Sequence, residues 1–172
     1  MALIDKLKSM MKSKQISNTM VEAGKIYAPI TGKVIALEDI PDEVFSQGMV
    51  GKGCGIEPEV GEVVAPVNGT IVVVANTKHA IGIRSVDGAE IIIHVGMDTV
   101  NMDGWGFTAK VQVGQEVLCG QPLLLFDMEE IKKAGHPSTT AFIVTNSDEF
   151  STIEFDIGCY VEMTNEIGRI EK

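Results

Sequence analysis

Apolar residues come in short runs that alternate with polar or small ones along most of the chain, the period-two signature of strands with one buried face. Two such runs echo each other. Ala28-Pro-Ile-Thr-Gly-Lys-Val-Ile-Ala-Leu37 and Ala65-Pro-Val-Asn-Gly-Thr-Ile-Val-Val-Val74 share Ala, Pro and Gly at an offset of 37. Each reads as strand, tight turn, strand. Val111–Asp127 and Ile157–Met163 repeat the turn-and-strand rhythm. The pattern predicts an all-β fold, an antiparallel β-sandwich or barrel built from a duplicated hairpin motif. One or two short helices complete it. Pro41–Ser46 suits a single helical turn with Phe45 inward, and Asp127–Ala134 a short helix resting on Met128 and Ile131. The glycine-rich stretch Gly48–Gly55 reads as a loop; Lys52 sits too close, with no Ser or Thr after it, for a phosphate-cradling motif.

The longest helical pattern lies at the start. Leu3, Ile4, Leu7, Met10 and Met11 recur at three- and four-residue spacing, while Lys6, Lys8, Lys12 and Lys14 outweigh Asp5. That combination suits a weak contact of residues 1–14 with an anionic membrane surface, and equally a helix docked on the body. Residues 15–24 read as linker, so the expected organisation is 1–24, an amphipathic segment and linker, followed by one domain over 25–172.

The central hairpin carries the chemistry. His79 and His94 flank Asp87-Gly88, a dipeptide that predicts a two-residue turn. In that register His94 faces Ile81, and His79, Ile81, Ile92 and His94 share one face. A nucleophilic imidazole needs one nitrogen free and the other hydrogen-bonded. The bend Val95-Gly-Met-Asp-Thr99 can offer a carbonyl to His94 Nδ1, Gly96 being the candidate, and leave Nε2 exposed. Thr77, two residues before His79, can orient the second ring. His136, in Gly135-His-Pro137, reads as a loop residue.

Composition narrows the function. A net charge of −10 over 172 residues disfavours nucleic acid and favours partners with basic patches. Cys54, Cys119 and Cys159 are odd in number and lack CxxC spacing, which fits reduced thiols in the cytoplasm. No apolar run approaches a membrane span, and the start lacks a signal peptide's features.

Gly88-Ala-Glu-Ile-Ile-Ile-His94-Val-Gly-Met-Asp-Thr-Val100 resembles the phosphohistidine signature of the glucose-type enzyme IIA domain of the bacterial sugar phosphotransferase system. Ala28-Pro, Pro41-Asp-Glu-Val-Phe, Val50-Gly-Lys-Gly, Ala65-Pro-Val-Asn-Gly-Thr and Thr77-Lys-His79 follow in the family's order. The resemblance implies that His94 accepts a phosphoryl group from the general phosphocarrier protein HPr and passes it to a cysteine of an enzyme IIB domain. It implies further that His79 contacts that group, that Thr77 holds His79, and that Asp42, Phe45, Val50 and Asp98 rim the docking face. Some members bind zinc through this histidine pair when a regulatory target supplies another ligand; no cofactor is otherwise expected. Ala75, Ile81 and Ile92 stand where members can carry aromatics, and Lys78 where Asn is common, differences that bear on partner preference.

Two other classes compete. His94 and Asp98 at His-x3-Asp spacing suggest a zinc peptidase, but a catalytic zinc needs three protein ligands. Lys78 on a hairpin suggests a lipoyl or biotin carrier, without the flanking pattern such carriers use.

Overall fold

A computed structural model describes residues 21–172; the amphipathic pattern of residues 1–14 lies outside them. The described chain is an antiparallel β-sandwich. Its strands are β1 (Lys25–Tyr27), β2 (Gly32–Ala36), β3 (Lys52–Pro58), β4 (Glu62–Val64), β5 (Gly69–Val74), β6 (Ala80–Ser85) and β7 (Glu90–His94). There follow β8 (Phe107–Ala109), β9 (Glu116–Val117), β10 (Pro122–Phe126), β11 (Thr140–Val144), β12 (Thr152–Phe155), β13 (Tyr160–Val161) and β14 (Glu166–Glu171). The short helices are α1 (Glu43–Ser46) and α2 (Met128–Lys133).

Eight strands form the main sheet, in the order β13-β2-β3-β11-β7-β6-β5-β9. Two three-stranded sheets, β1-β14-β12 and β4-β10-β8, accompany it. Ile56, Ile71, Ile81, Ile83, Ile91, Ile93 and Phe142 of the main sheet are fully buried with Ile26, Leu123 and Leu124 of the smaller ones. Alternation thus delivers one apolar face to a common core.

The sequence echo is a structural duplication. Tyr27 N–H donates to Pro66 O at 3.0 Å and Val64 N–H to Pro29 O at 2.8 Å, a reciprocal exchange between matching positions of the two copies. Gly32 and Gly69 open matching strands, and a Cβ at either would strike the backbone of the next strand, at Glu57 and Arg84 respectively. The main sheet follows the same symmetry, with β11 and β7 at its centre. The copies diverge after β2 and β5. Residues 75–79 join β5 to β6 directly, whereas residues 37–51 form a long connection containing α1.

The glycine-rich loop ends earlier than its composition suggests. Lys52 already belongs to β3, and Gly53 and Gly55 are strand residues. A side chain at Gly53 would collide with the Phe142 carbonyl. Glycine here serves close strand approach, which composition alone cannot distinguish from loop.

Candidate functional site

The hairpin between β6 and β7 has a different turn from the one its Asp-Gly predicts. Ser85 N–H donates to Ala89 O at 2.8 Å and Gly88 N–H to Ser85 O at 3.0 Å, so Val86, Asp87 and Gly88 form a three-residue loop with Gly88 at φ +89°. The register moves by one residue, and Ala80 rather than Ile81 faces His94. Ile81 therefore belongs to the core and not to the histidine face; Ile92 keeps its place beside His94, half-buried.

His79 still reaches His94, by a route the strand pattern does not contain. It precedes β6 and follows Lys78, which adopts the left-handed conformation (φ +59°) after a turn closed by Lys78 N–H to Ala75 O at 2.8 Å. The chain thus escapes strand alternation at His79, and its imidazole meets that of His94 edge-on, with centroids 4.7 Å apart and planes at 81°. Asn tolerates this backbone region more readily than Lys does, so Lys78 is held there by its surroundings.

Each ring is tied at Nδ1 to a neutral oxygen. Thr77 Oγ1 lies 2.7 Å from His79 Nδ1, and Gly96 O lies 2.8 Å from His94 Nδ1. A carbonyl can only accept, so His94 carries its proton on Nδ1 and keeps the Nε2 lone pair bare. The bend that presents this carbonyl is braced on several sides. Gly96 has φ +73°, Met97 N–H donates to Pro137 O at 3.1 Å, and Thr99 Oγ1 donates to Val95 O at 2.5 Å. Thr99 and Pro137 are site supports that the sequence did not single out. Thr99 follows Val95 by four residues, a spacing open to such a bond, but Pro137 arrives from a distant loop. That loop includes His136, whose N–H is bonded to Ile131 O at 3.1 Å.

The collar around His94 is small and apolar. In the sheet the histidine lies between Ala80 of β6 and Ala141 of β11, whose side chains are short and apolar. Phe45 of α1 tilts over it with centroids 5.1 Å apart. Behind stands a second apolar cluster of Ile40, Met97, Ala141 and Ile143, with Leu37, Phe45 and Val50 packed against it. Asp42 caps α1 through Oδ1, accepting from Val44 N–H at 2.9 Å and Phe45 N–H at 3.3 Å. Asp98 is exposed, at φ +58°.

Both imidazoles are held neutral. Burial, then the neighbouring His94, lowers the His79 pKa to about 4; the residue is 8% exposed. Burial also lowers that of His94, opposed by the Gly96 carbonyl and by the charges of Asp42 and Asp98. An unprotonated nitrogen in a water-poor apolar collar is a nucleophile suited to receiving a group and keeping it from water.

A bare histidine nitrogen beside a second histidine, on the outer face of a duplicated β-sandwich, defines a site of the group-carrier class. Residues 24–150 match the family described as phosphoenolpyruvate-dependent sugar phosphotransferase system, EIIA 1. The chain belongs to this family. It is 53% identical over 126 residues to the β-glucoside-specific EIIBCA component of Bacillus subtilis, covering 73% of this chain but only 21% of that longer relative. It is 42% identical over 145 residues to the glucose-specific EIIA component of Staphylococcus epidermidis, covering 84% of this chain and 85% of the relative. The solved glucose permease IIA from Mycoplasma capricolum superposes with a TM-score of 0.76 at 35% identity, over 84% of this chain and 93% of that one. The all-β sandwich and the family expected from the sequence both stand. The protein is a phosphocarrier of the phosphotransferase system, acting through a phosphohistidine.

Proposed function

We propose that His94 is the phosphorylated residue and that Nε2 is the atom that carries the group. The observation supporting this most directly is the bond from His94 Nδ1 to the Gly96 carbonyl, which commits the other nitrogen to chemistry. In the first half-reaction the Nε2 lone pair forms a new N–P bond as the N–P bond to a histidine of HPr breaks, the departing nitrogen retaining the electron pair. In the second, a cysteine thiolate of an enzyme IIB domain forms an S–P bond and Nε2 recovers its pair. His79 assists. When the Thr77 hydroxyl donates to Nδ1, the His79 Nε2–H is left to donate to a phosphoryl oxygen as charge develops. Because both Nδ1 partners are neutral oxygens rather than carboxylates, Nε2 remains a modest base and the phosphoryl group remains easily passed on.

Asp42, Phe45, Val50 and Asp98 rim the face on which both partners dock, and the acidic chain favours partners with a basic patch. The working unit is residues 25–172, operating in the cytoplasm during sugar uptake, with residues 1–14 making weak contact with anionic membrane. Among the described residues no helix is long and apolar enough to cross a membrane.

Zinc fits the pair only as a shared ligand set. His94 keeps Nε2 bare, and His79 would free its own Nε2 only with the Thr77 hydroxyl turned to accept from Nδ1–H; among the described residues no group of three or more His, Cys, Asp or Glu is placed to hold a metal. A regulatory partner would have to contribute further ligands, and when bound the ion would supply a bridge between the two proteins.

The test is incubation with labelled phosphoenolpyruvate, enzyme I and HPr. Acid-labile label appears on wild type, disappears in His94→Gln, and persists in His79→Gln with slowed transfer onward. Label surviving in His94→Gln would refute the assignment.

A further inference from the structure

The loop from Asp98 to Phe107 presents an aromatic side chain that the phosphoryl-transfer chemistry does not use. Trp105, the chain's sole tryptophan, is 69% exposed, and Val100 on the same loop is also exposed. An exposed apolar residue is ordinary on a surface; one held in place is less so. The indole Nε1–H donates to Glu130 Oε2 on α2 at 2.9 Å, while Glu130 Oε1 receives Lys133 Nζ at 3.4 Å. The backbone beneath is a succession of turns, with Asn101 N–H to Asp98 O at 3.1 Å, Trp105 N–H to Met102 O at 2.9 Å and Phe107 N–H to Gly104 O at 3.1 Å.

This platform is continuous with the histidine site at both ends. It begins at Asp98, whose charge acts on His94, and at Gly104 it lies against the backbone of Thr77, the residue bonded to His79. A large side chain whose orientation is already fixed loses little entropy on binding, and tryptophan is enriched among residues that dominate interfaces.

We propose that Trp105 is a specificity-determining anchor for the enzyme IIB domain, inserting into an apolar recess beside that domain's reactive cysteine. The inference rests on the phosphorelay reading above and goes further by separating the two partners. A cysteine sulfur is attached directly to Cβ, whereas either imidazole nitrogen lies at least two bonds from it. To reach the same phosphorus on His94, the cysteine partner must therefore bring its backbone closer than the histidine partner does. Closer approach engages surface beyond the collar, and on the adjoining loop Trp105 is the largest exposed side chain. Its loop carries Asp98 and Asp103 and no basic residue, and its indole is bonded to Glu130, whose charge Lys133 offsets in part; this acidic balance suits a recess flanked by basic groups.

The sole tryptophan reports directly. The inert His94→Gln chain is titrated with the IIB domain of the Bacillus subtilis β-glucoside relative, then with HPr. IIB shifts the emission to the blue and shields it from acrylamide; HPr leaves it nearly unchanged. With the reactive chain, Trp105→Ala raises KM for transfer to IIB about tenfold or more, as loss of an interface anchor does. Its kcat and its phosphorylation by HPr stay within about twofold of wild type. Glu130→Gln, which keeps a hydrogen-bond acceptor for the indole, retains most of the IIB affinity. Unchanged KM for IIB in Trp105→Ala, an equal loss toward HPr, or no transfer from labelled wild type to this IIB overturns the inference while leaving His94 as the phosphoryl acceptor. Failure of wild type to take label at His94 removes the phosphorelay reading, and this inference with it.

Discussion

At the scale of single residues, the site is defined by which nitrogen of each histidine is already occupied. His79 and His94 are both neutral at pH 7, because burial penalises their charged forms. For His79 the folded pKa of about 4 lies below its ordinary 6.5. As pH falls between these values the unfolded chain takes up a proton that the folded chain refuses, so stability present above 6.5 is lost on acidification. The loss is on the order of 1 kcal/mol by pH 5 after allowing for solvent screening. Urea unfolding at pH 7 and pH 5 should show a smaller drop for His79→Gln than for wild type; an equal drop would place the titration elsewhere. Removing the Thr77 hydroxyl, as in Thr77→Val, should slow onward transfer about tenfold while leaving His94 phosphorylatable, since it frees the His79 ring without touching the acceptor.

At the scale of elements, the β6–β7 hairpin and the bend after it decide whether the rings meet. The backbone at Gly96 requires glycine twice over: φ is +73°, and a Cβ would collide with Thr99 Cγ2 and lie 2.9 Å from Pro137 O. Gly96→Ala should lower the rate of His94 phosphorylation by about a hundredfold and destabilise the fold by about 2 kcal/mol, measured by quench-flow labelling and urea denaturation. Much of this element was readable in the sequence. The strands, the Gly96 carbonyl and the helices around Phe45 and Ile131 follow from alternation, glycine placement and the spacing of their apolar residues; the structure adds the carboxylates of Asp42 and Asp127 as their caps. The hairpin register was not readable, because Asp-Gly serves both two- and three-residue loops. The choice is made by Ser85 Oγ accepting Ala89 N–H at 3.0 Å, and by Asn146 bridging Gly88 O and Glu90 N–H from beyond the end of β11. His79 joined the site despite that shift because Lys78 takes a left-handed turn, a conformation its residue type does not advertise.

At the scale of the whole molecule, duplication supplies the scaffold and its broken symmetry supplies the site. The echo of Ala28–Leu37 in Ala65–Val74 made the repeated hairpin legible; the helical turn at Pro41–Ser46 was legible too, but its placement with Phe45 over His94 depends on tertiary packing that no local pattern announces. Burial within the sandwich sets thiol reactivity. Cys54 and Cys119 are buried, which pushes both thiols up, Cys119 to about 11, while Cys159 is exposed. Iodoacetamide should therefore modify Cys159 alone in the native protein and all three cysteines after unfolding, read by intact mass; native modification of Cys54 would contradict the packing.

The proposed phosphorylation of His94 at Nε2 turns on the bond that occupies its Nδ1, to Gly96 O. Long-range nitrogen–proton NMR spectra of histidine-labelled protein, recorded before and after phosphorylation through HPr, test it most directly. Phosphorus is expected on Nε2 of His94, with Nδ1 keeping its proton. Phosphorylation at Nδ1 of His94, or on His79, would contradict it.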